Sequence, residues 1–326
     1  MSLYIEPKQS KSIAYLSKIM VSAKIISNKS SNISLAKTEY ASLLKQVPSI
    51  VNNTLTFELR GSNCALSNAI RRTLISEMPI KHLTASLTDI KTTDPYVIGE
   101  AIRKRIEMIP ISQSIDVESV FSLRFENNQN EYIDVLSSEI KLNGVSSTKD
   151  IVSDVPICDI NSGTSFSIND VRVVESFGFD NSRVSIGRVA YEIIEQDFTI
   201  PSSIAEPTNF RLEIETAGVI DPVEMVRKAI DSLILRLDSI DYSLSLIEFD
   251  IFKLTIPNET HSIGRMLSWY VYQQEPTIKY VAARVPHPSK RECIIDIHHP
   301  QGEALCKKAV EAIKSDLTTL RKTFQS

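Results

Sequence analysis

The chain has 326 residues, 42% of them hydrophobic and 23% charged, as in a globular protein of one large domain or two to three smaller ones. Its 36 basic and 40 acidic residues give a net charge of −4, which argues against a broad nucleic-acid-binding face. The four cysteines form no CxxC pair and the nine glycines form no phosphate-binding loop, which argues against a zinc ribbon and a nucleotide cradle. No stretch approaches the roughly 20 apolar residues of a membrane span.

The first elements are predicted from apolar alternation and a terminating proline. Residues 1–50 are predicted to be an amino-terminal extension, with a loop at the serine- and asparagine-rich stretch SNKSSNISLAK. The alternating stretch TLTFEL, residues 54–59, predicts a strand. A helix is predicted from Ala65 to Glu77, because Pro79 lies just past its end, where proline stops a helix without breaking it.

The middle of the chain changes character. A second helix is predicted over residues 97–107, and residues 112–205 are predicted to be a β-rich insert. Within the insert, FSLRF and YIDVL flank NNQN, and ICDI and SFSI flank NSGT. Each of these two arrangements is typical of a β-hairpin.

Longer elements return after the insert. FRLEIET alternates as a strand, and Asp221 and Pro222 supply a helix N-cap and a proline at the first helical position. The next helix and the carboxyl-terminal helix both have apolar residues at spacings of three and four, a seam that needs a partner helix. The residues predicted to pair within the chain are Val226, Ile230, Leu233, Leu237, Ile313, Leu317, Leu320 and Phe324. Two interpretations stay open: both helices pack on a sheet in one core, or the seam is a helix–helix dimerisation surface.

The chain contains an internal repeat at an offset of 197 residues. Residues 54–79 align without a gap with residues 251–276, strand on strand and helix on helix. The buried stripe of the first helix, Leu66, Ala69, Ile70 and Leu74, falls on Ile263, Met266, Leu267 and Val271. Two copies of one unit in one chain predict a pseudo-two-fold pair.

The outer faces of the two repeated helices differ. At 100° per residue, the face opposite the buried stripe carries Asn68, Arg71, Arg72 and Ile75 in the first copy and Arg265, Ser268, Trp269 and Tyr272 in the second. Arginine and aromatic residues are enriched at protein–protein hot spots. A solvated helix face is the alternative interpretation, but different outer faces on equivalent cores favour two units that bind different neighbours.

These stretches resemble a known family. SNAIRRTLISEMP with the following AIRKRIEMIPI resembles the assembly subunit of multisubunit RNA polymerases: the bacterial alpha subunit, the archaeal D subunit and the third-largest eukaryotic subunit. In the second half, HSIGRML and RVPHP are similar to the small partner of that subunit, archaeal L or its eukaryotic counterpart. The resemblance covers about residues 54–326. The presence of both partners in one chain resembles the arrangement in the polymerases of some large DNA viruses.

The resemblance implies an α+β fold of two alpha-subunit-like dimerisation units paired within one chain. The predicted domains are the extension 1–50, a D-like first unit of residues 51–111 and 206–240, the β-rich insert 112–205 and an L-like second unit, 241–326. The implied function is a non-catalytic assembly scaffold of a DNA-directed RNA polymerase, without cofactor or metal. The alternative is a homodimeric protein-binding module or regulator that shares the topology but joins no polymerase.

The implied partners are the two largest polymerase subunits, one on each unit, and a small subunit beside them, with little or no DNA contact and no membrane. The residues predicted to bind partners are Asn68, Arg71, Arg72, Ile75, Glu77, Arg105, Arg265, Trp269, Tyr272 and Arg284. Arginine suits such contacts because its planar fork bonds carboxylates and carbonyls in pairs. The expected location is a reducing intracellular compartment: the viral factory and virion if the chain is viral, the nucleus or cytoplasm otherwise.

The chain departs from the family pattern in two places. The cysteines that bind zinc in the insert of some relatives are missing, which implies no metal. Arg265 and Ser268 replace the asparagine and arginine of the second-half motif, so contacts built on those two side chains are in question. A cap or loop role is favoured for His261, and no cysteine or carboxylate cluster completes a metal set with His287, His298 and His299.

Overall fold

The structure, a computed structural model, describes residues 21–34, 49–142, 144–146, 149–152, 155–178, 187–194, 206–248, 251–275, 277–287 and 289–325. The helices of this part of the chain are α1 Cys64–Arg72, α2 Gly99–Glu107, α3 Pro222–Asp238, α4 His261–Gln274 and α5 Gly302–Thr323. Its strands are β1 Ser22–Ser34, β2 Ser49–Arg60, β3 Pro79–Ala85, β4 Ile90–Thr92, β5 Val120–Glu126, β6 Ile133–Leu136, β7 Ile140–Leu142, β8 Val145–Ser146, β9 Pro156–Ile160, β10 Ser165–Phe177, β11 Arg188–Ile193, β12 Phe210–Ala217, β13 Ser245–Glu248, β14 Ile251–Pro257, β15 Tyr280–Arg284 and β16 Glu292–His298. A π-helical turn, Thr73–Glu77, continues α1 up to the start of β3.

The first unit is a four-stranded antiparallel sheet in the order β1-β2-β12-β11, packed with α1 and α3. Alternation in β2 places Leu55, Phe57 and Leu59 on the core side of the strand, each at 0% exposure. Their partners in the neighbouring strand β12 are also buried apolar residues, so the two strands form one continuous apolar surface on the inner face of the sheet. Helix α3 begins as predicted, because the Asp221 side chain accepts a hydrogen bond from the Val223 backbone N–H at 3.0 Å.

The stretch that was predicted to be a loop in the amino-terminal extension is strand β1. It pairs antiparallel with β2 from Ser22 opposite Arg60 to Ser34 opposite Ser49. Because β1 is an edge strand with many exposed side chains, serine and asparagine are tolerated there, and the alternation that signals a strand is lost. We propose that the first unit starts earlier than residue 51; residues 35–37 of the predicted loop lie outside the described part of the chain.

The second unit repeats the first. Its sheet has the order β13-β14-β16-β15, so each strand has a counterpart at the same place in the first sheet. In both units a helix follows the second strand, α1 after β2 and α4 after β14, and another helix follows the last strand, α3 after β12 and α5 after β16. The repeat predicted from the sequence is thus present in the fold, with the insert interrupting only the first copy.

The two units share one hydrophobic core. Helix α3 packs against α5, and α1 packs against α4. The eight residues predicted to pair these units all belong to this core at 0–2% exposure: Val226, Ile230, Leu233, Leu237, Ile313, Leu317, Leu320 and Phe324. Phe324 of the second unit meets Phe57 of the first edge to face, with ring centroids 5.0 Å apart. Burial of each such side chain contributes about 1.5–3 kcal/mol, so the core holds the two units together.

The insert has its own core. Its main sheet has the order β3-β10-β5-β7-β8, with β4 also paired to β10. The core under this sheet includes Leu83, Ile102 and Ile106, which precede the predicted boundary at residue 112. We propose that the insert begins near Pro79, where the chain leaves the π-helical turn for β3.

The two hairpins predicted inside the insert are wrong. β5 pairs with β10, and β6 pairs with β9, so each pair joins strands from different predicted hairpins. The two turns instead lie side by side: the Asn127 side chain donates to the carbonyl oxygens of Glu131 and Ile160. Short polar segments between strands do not reveal whether a chain doubles back or crosses over, because both connections need similar turn residues.

Candidate functional site

The outer face of α1 is set by its N-cap and its buried stripe. The Asn63 side chain caps the helix by accepting from the Leu66 backbone N–H at 2.8 Å. With the apolar stripe of α1 against the sheet, Arg71 turns outward and is partly exposed. Its Nε donates to Asn68 Oδ1 at 3.0 Å, which holds the guanidinium on the outer face, as predicted for these two residues. The predicted partner residue Ile75 instead packs partly against the shared core.

The neighbouring arginine has a different environment. Arg72 Nε donates to Glu77 Oε1 at 3.0 Å and to Ser262 Oγ, in the first turn of α4, at 2.8 Å. Glu77 is 5% exposed and fixes the local geometry of Arg72, whereas a direct contact between Glu77 and a partner stays a prediction. A π-helical turn has more residues per turn than an α-helix, and α4 covers this side of α1, neither of which a helical wheel of α1 alone includes.

An arginine that the sequence analysis missed sits at the centre of this contact. Arg236 of α3 bonds both carboxylate oxygens of Glu259, with Nε 2.7 Å from Oε1 and Nη2 2.5 Å from Oε2. Its Nη1 donates to Glu77 Oε2 at 3.1 Å and to Thr73 Oγ1 at 3.3 Å. The Arg236 side chain is only 16% exposed. Burial lowers the pKa of Arg236, but the hydrogen bonds and charges of Glu259 and Glu77 outweigh burial and the net shift is upward.

The outer face of α4 has another chemistry. Arg265 and Tyr272 are exposed, with Tyr272 at 48%. Trp269 is half-buried; its Nε1 donates to Glu206 Oε2 at 2.9 Å, and its ring meets that of Tyr270 edge to face at 5.1 Å. The face therefore combines the cation of Arg265 with aromatic surface, and partner binding by these residues stays a prediction.

The remaining predicted residues lie on other elements. Arg284, in the last position of β15, is exposed and donates from Nε to Asp296 Oδ2 at 3.0 Å. Arg105 of α2 is exposed and donates from Nη1 to the Ile157 carbonyl oxygen at 2.9 Å. It lines an open groove of the insert rather than the shared core, so the structure does not bring it together with the faces of α1 and α4.

The described residues show neither a metal-ligand set nor a membrane-spanning helix. Within these ranges no three histidine, cysteine, aspartate or glutamate side chains come together as metal ligands. No helix among them has both the length and the apolar character to cross a bilayer. His261 lies in the first turn of α4, where burial and the neighbouring Arg265 and Arg72 lower its pKa.

Comparison with known proteins identifies the family. The model described as the RNA polymerase Rpb3/Rpb11 dimerisation domain matches residues 56–237, more than half of the chain, and a second model of the same description matches residues 252–326. A protein named DNA-directed RNA polymerase RPB3-11 homolog, from a warthog isolate of African swine fever virus, is 24% identical over 87% of this chain and 88% of its own length. The protein of the same name from a tick isolate is 25% identical over 86% of this chain and 90% of its length. These matches confirm the resemblance drawn from SNAIRRTLISEMP and RVPHP, and the chain belongs to the RNA polymerase Rpb3/Rpb11 dimerisation domain family, with two such domains in one polypeptide.

Proposed function

We propose that the chain is a non-catalytic assembly scaffold of a DNA-directed RNA polymerase, and that each unit docks one of the two largest subunits. Family membership and relatives named as RPB3-11 homologs of a viral polymerase support an assembly subunit that associates with other polymerase subunits. We propose further that a small subunit docks beside the two largest ones.

One observation supports docking most directly: α1 and α4 occupy equivalent places in two equivalent units, yet their outer faces differ. The face of α1 presents Arg71, held by Asn68, while the face of α4 presents Arg265 and Tyr272. Symmetric cores with asymmetric surfaces fit a scaffold that distinguishes two neighbours, because arginine and aromatic side chains are the usual anchors of such contacts.

We assign the catalytic steps of transcription to the large subunits and not to this chain. The sequence has no phosphate-binding glycine loop, and its net charge of −4 offers no broad field for a nucleic-acid backbone. We therefore place nucleotide transfer, its metal ions and most DNA contact on the large subunits. The two paired units would hold those subunits in one arrangement during assembly.

The test is co-purification of the full chain with the two largest subunits after co-expression. Arg71→Glu is chosen without Arg72→Glu, because a carboxylate at position 72 would face the buried Glu77 and disturb the contact between the units. We expect Arg71→Glu to lower the recovery of one large subunit by about tenfold or more, the effect of losing about 1.4 kcal/mol of binding free energy. Arg265→Glu with Tyr272→Ala should lower the recovery of the other.

The matched control is Arg188→Glu, at an exposed arginine on edge strand β11 of the first sheet, with 62% of its side chain exposed. This variant should recover both subunits as the wild type does. Wild-type recovery of both subunits by all variants would contradict the docking faces. A chain that assembles with neither subunit would favour the homodimeric binding module instead.

A further inference from the structure

The two units meet at two equivalent polar places that hold different side chains. Helix α3 begins at Pro222 and α5 at Gly302, an offset of 80 residues, and at this offset every buried residue of α3 falls on a buried residue of α5. At the offset of 197 residues, the buried residues of α1 likewise fall on buried residues of α4. Arg236 is thus equivalent to Asp316, and Glu259 is equivalent to Ser62.

At the first place, a cation of the first unit meets a carboxylate of the second. Arg236 bonds Glu259 through two hydrogen bonds, and both side chains are nearly buried, at 16% and 8% exposure. Glu77 of the first unit completes the contact by accepting from Arg236 and from Ser262 Oγ, the latter at 2.9 Å. Two carboxylates and two arginines, counting Arg72, are balanced in charge here.

At the second place, the arginine is replaced by a carboxylate. Asp316 Oδ2 accepts from the Tyr270 hydroxyl at 2.6 Å, and Tyr270 is the residue equivalent to Thr73. Where the first place has Glu259, this one has Ser62, whose Oγ is 3.1 Å from Ser67 Oγ. Burial raises the pKa of Asp316, and the Tyr270 hydrogen bond opposes that shift.

We propose that these two places make the pairing selective, so that a first unit accepts a second unit and each unit rejects a copy of itself. In a pair of two first units, each Arg236 would face Ser62 and would lose its two bonds to Glu259. In a pair of two second units, each Glu259 would face Asp316, and a buried carboxylate would meet a half-buried one without an arginine. Like charges brought together at an interface are strongly unfavourable, which is how proteins exclude wrong partners.

This inference rests on the pairing of the units and not on the docking of any polymerase subunit. Docking can fail while selective pairing holds, and each has its own experiment. Covalent connection alone does not ensure the correct pairing, because two chains can exchange equivalent units at high concentration.

The experiment uses the complete chain with a protease site placed after Ser239, an exposed residue that follows α3, and cut only after folding. The cut gives a first fragment, which ends at Ser239, and a second fragment, which contains the second unit. Protein whose second fragment carries an affinity tag at its new end is mixed in urea with untagged cut protein, and the urea is then diluted so that the fragments pair again. Mass spectrometry of the captured material counts first fragments and untagged second fragments. For the wild type we expect first fragments, with untagged second fragments at less than about a tenth of them.

Asp316→Arg should raise the share of captured untagged second fragments by about tenfold or more, because an arginine at this position would meet Glu259 of the other copy. Asp316→Asn should raise this share less, because the asparagine removes the repulsion from Glu259 without adding an attraction. If Asp316→Arg fails to refold, Asp316→Asn is the variant that tests the proposal. The control Glu311→Arg makes an acid-to-arginine change on the same helix at a side chain that is 74% exposed, and should match the wild type. Free self-pairing of wild-type second fragments, or position-316 variants that stay at the control level, would overturn the proposal.

Discussion

Replacing Arg236 with methionine tests how much the buried ion cluster stabilises the paired units. Methionine keeps much of the apolar stem, so the main loss is the charge and its four hydrogen bonds. Glu77 would retain Arg72, but Glu259, with 8% of its side chain exposed, would lose its ion-pair partner among the described residues. Removing one member of a buried pair costs about 3–5 kcal/mol, and the partial exposure of Arg236 favours the lower end, about 3 kcal/mol.

The assay is urea denaturation of the full chain, compared with Arg321→Met. Arg321 of α5 joins the two units through two hydrogen bonds to Asp231 of α3, but these side chains are 38% and 43% exposed, so the loss of stability should be much smaller than for Arg236→Met. Arg236→Met combined with Glu259→Leu should regain most of the loss, because no unpaired carboxylate is left buried. The reasoning fails if Arg236→Met costs no more than Arg321→Met, or if the double variant is as unstable as Arg236→Met alone.

Three further predictions concern packing, pH and thiols. Gly264→Ala should destabilise the chain by about 1–3 kcal/mol in urea, because its Cβ would overlap Cys293 Sγ, whereas Gly99→Ala, with no atom nearer than 3.9 Å to the new Cβ, should be neutral or slightly stabilising. The lowered pKa of His261 means that the folded state favours the neutral ring. The contribution of His261 to stability is therefore complete above about pH 6.5 and is lost as the pH falls through its pKa in the folded state. His261→Gln should reduce the loss of unfolding free energy between pH 7.5 and 5.5, measured by urea denaturation at each pH. A thiol reagent should modify Cys64 first in the native chain and all four cysteines in urea, since the other three are buried with pKa values raised to about 12; equal rates in the native state would contradict this.

The apolar pattern of the sequence predicted the paired architecture well. Leu55, Phe57 and Leu59 alternate because they face one side of a sheet, and the same alternation at an offset of 197 residues revealed the second unit. The N-cap at Asp221 is equally local, since a side chain bonds the backbone two residues on. Features of this kind depend on neighbours in the chain, so they can be inferred before the fold is known.

Features that depend on partners distant in sequence were missed. Edge strand β1 carries serine and asparagine because its exposed side chains need no apolar pattern, and the insert strands pair across segments whose turn residues do not specify the partner. Arg236 gives no local signal of its role, because its partner Glu259 belongs to the other unit. The burial of Glu77 has the same origin, because the start of α4, which covers it, is distant in sequence.

The insert also determines the order in which the sheets can form. In the first unit, β2 pairs with β12 across the whole insert, with Leu59 opposite Phe210, whereas in the second unit β14 pairs with β16 only a few tens of residues away. Contacts between residues far apart in sequence form slowly, since the long loop must close before any contact compensates its entropy. During synthesis the first sheet cannot close until the chain has passed Ala217, by which point all of the insert has been made. The unit that is encoded first is therefore expected to fold around an insert that is already complete, and the second unit is synthesised just after its partner in the same chain has been completed.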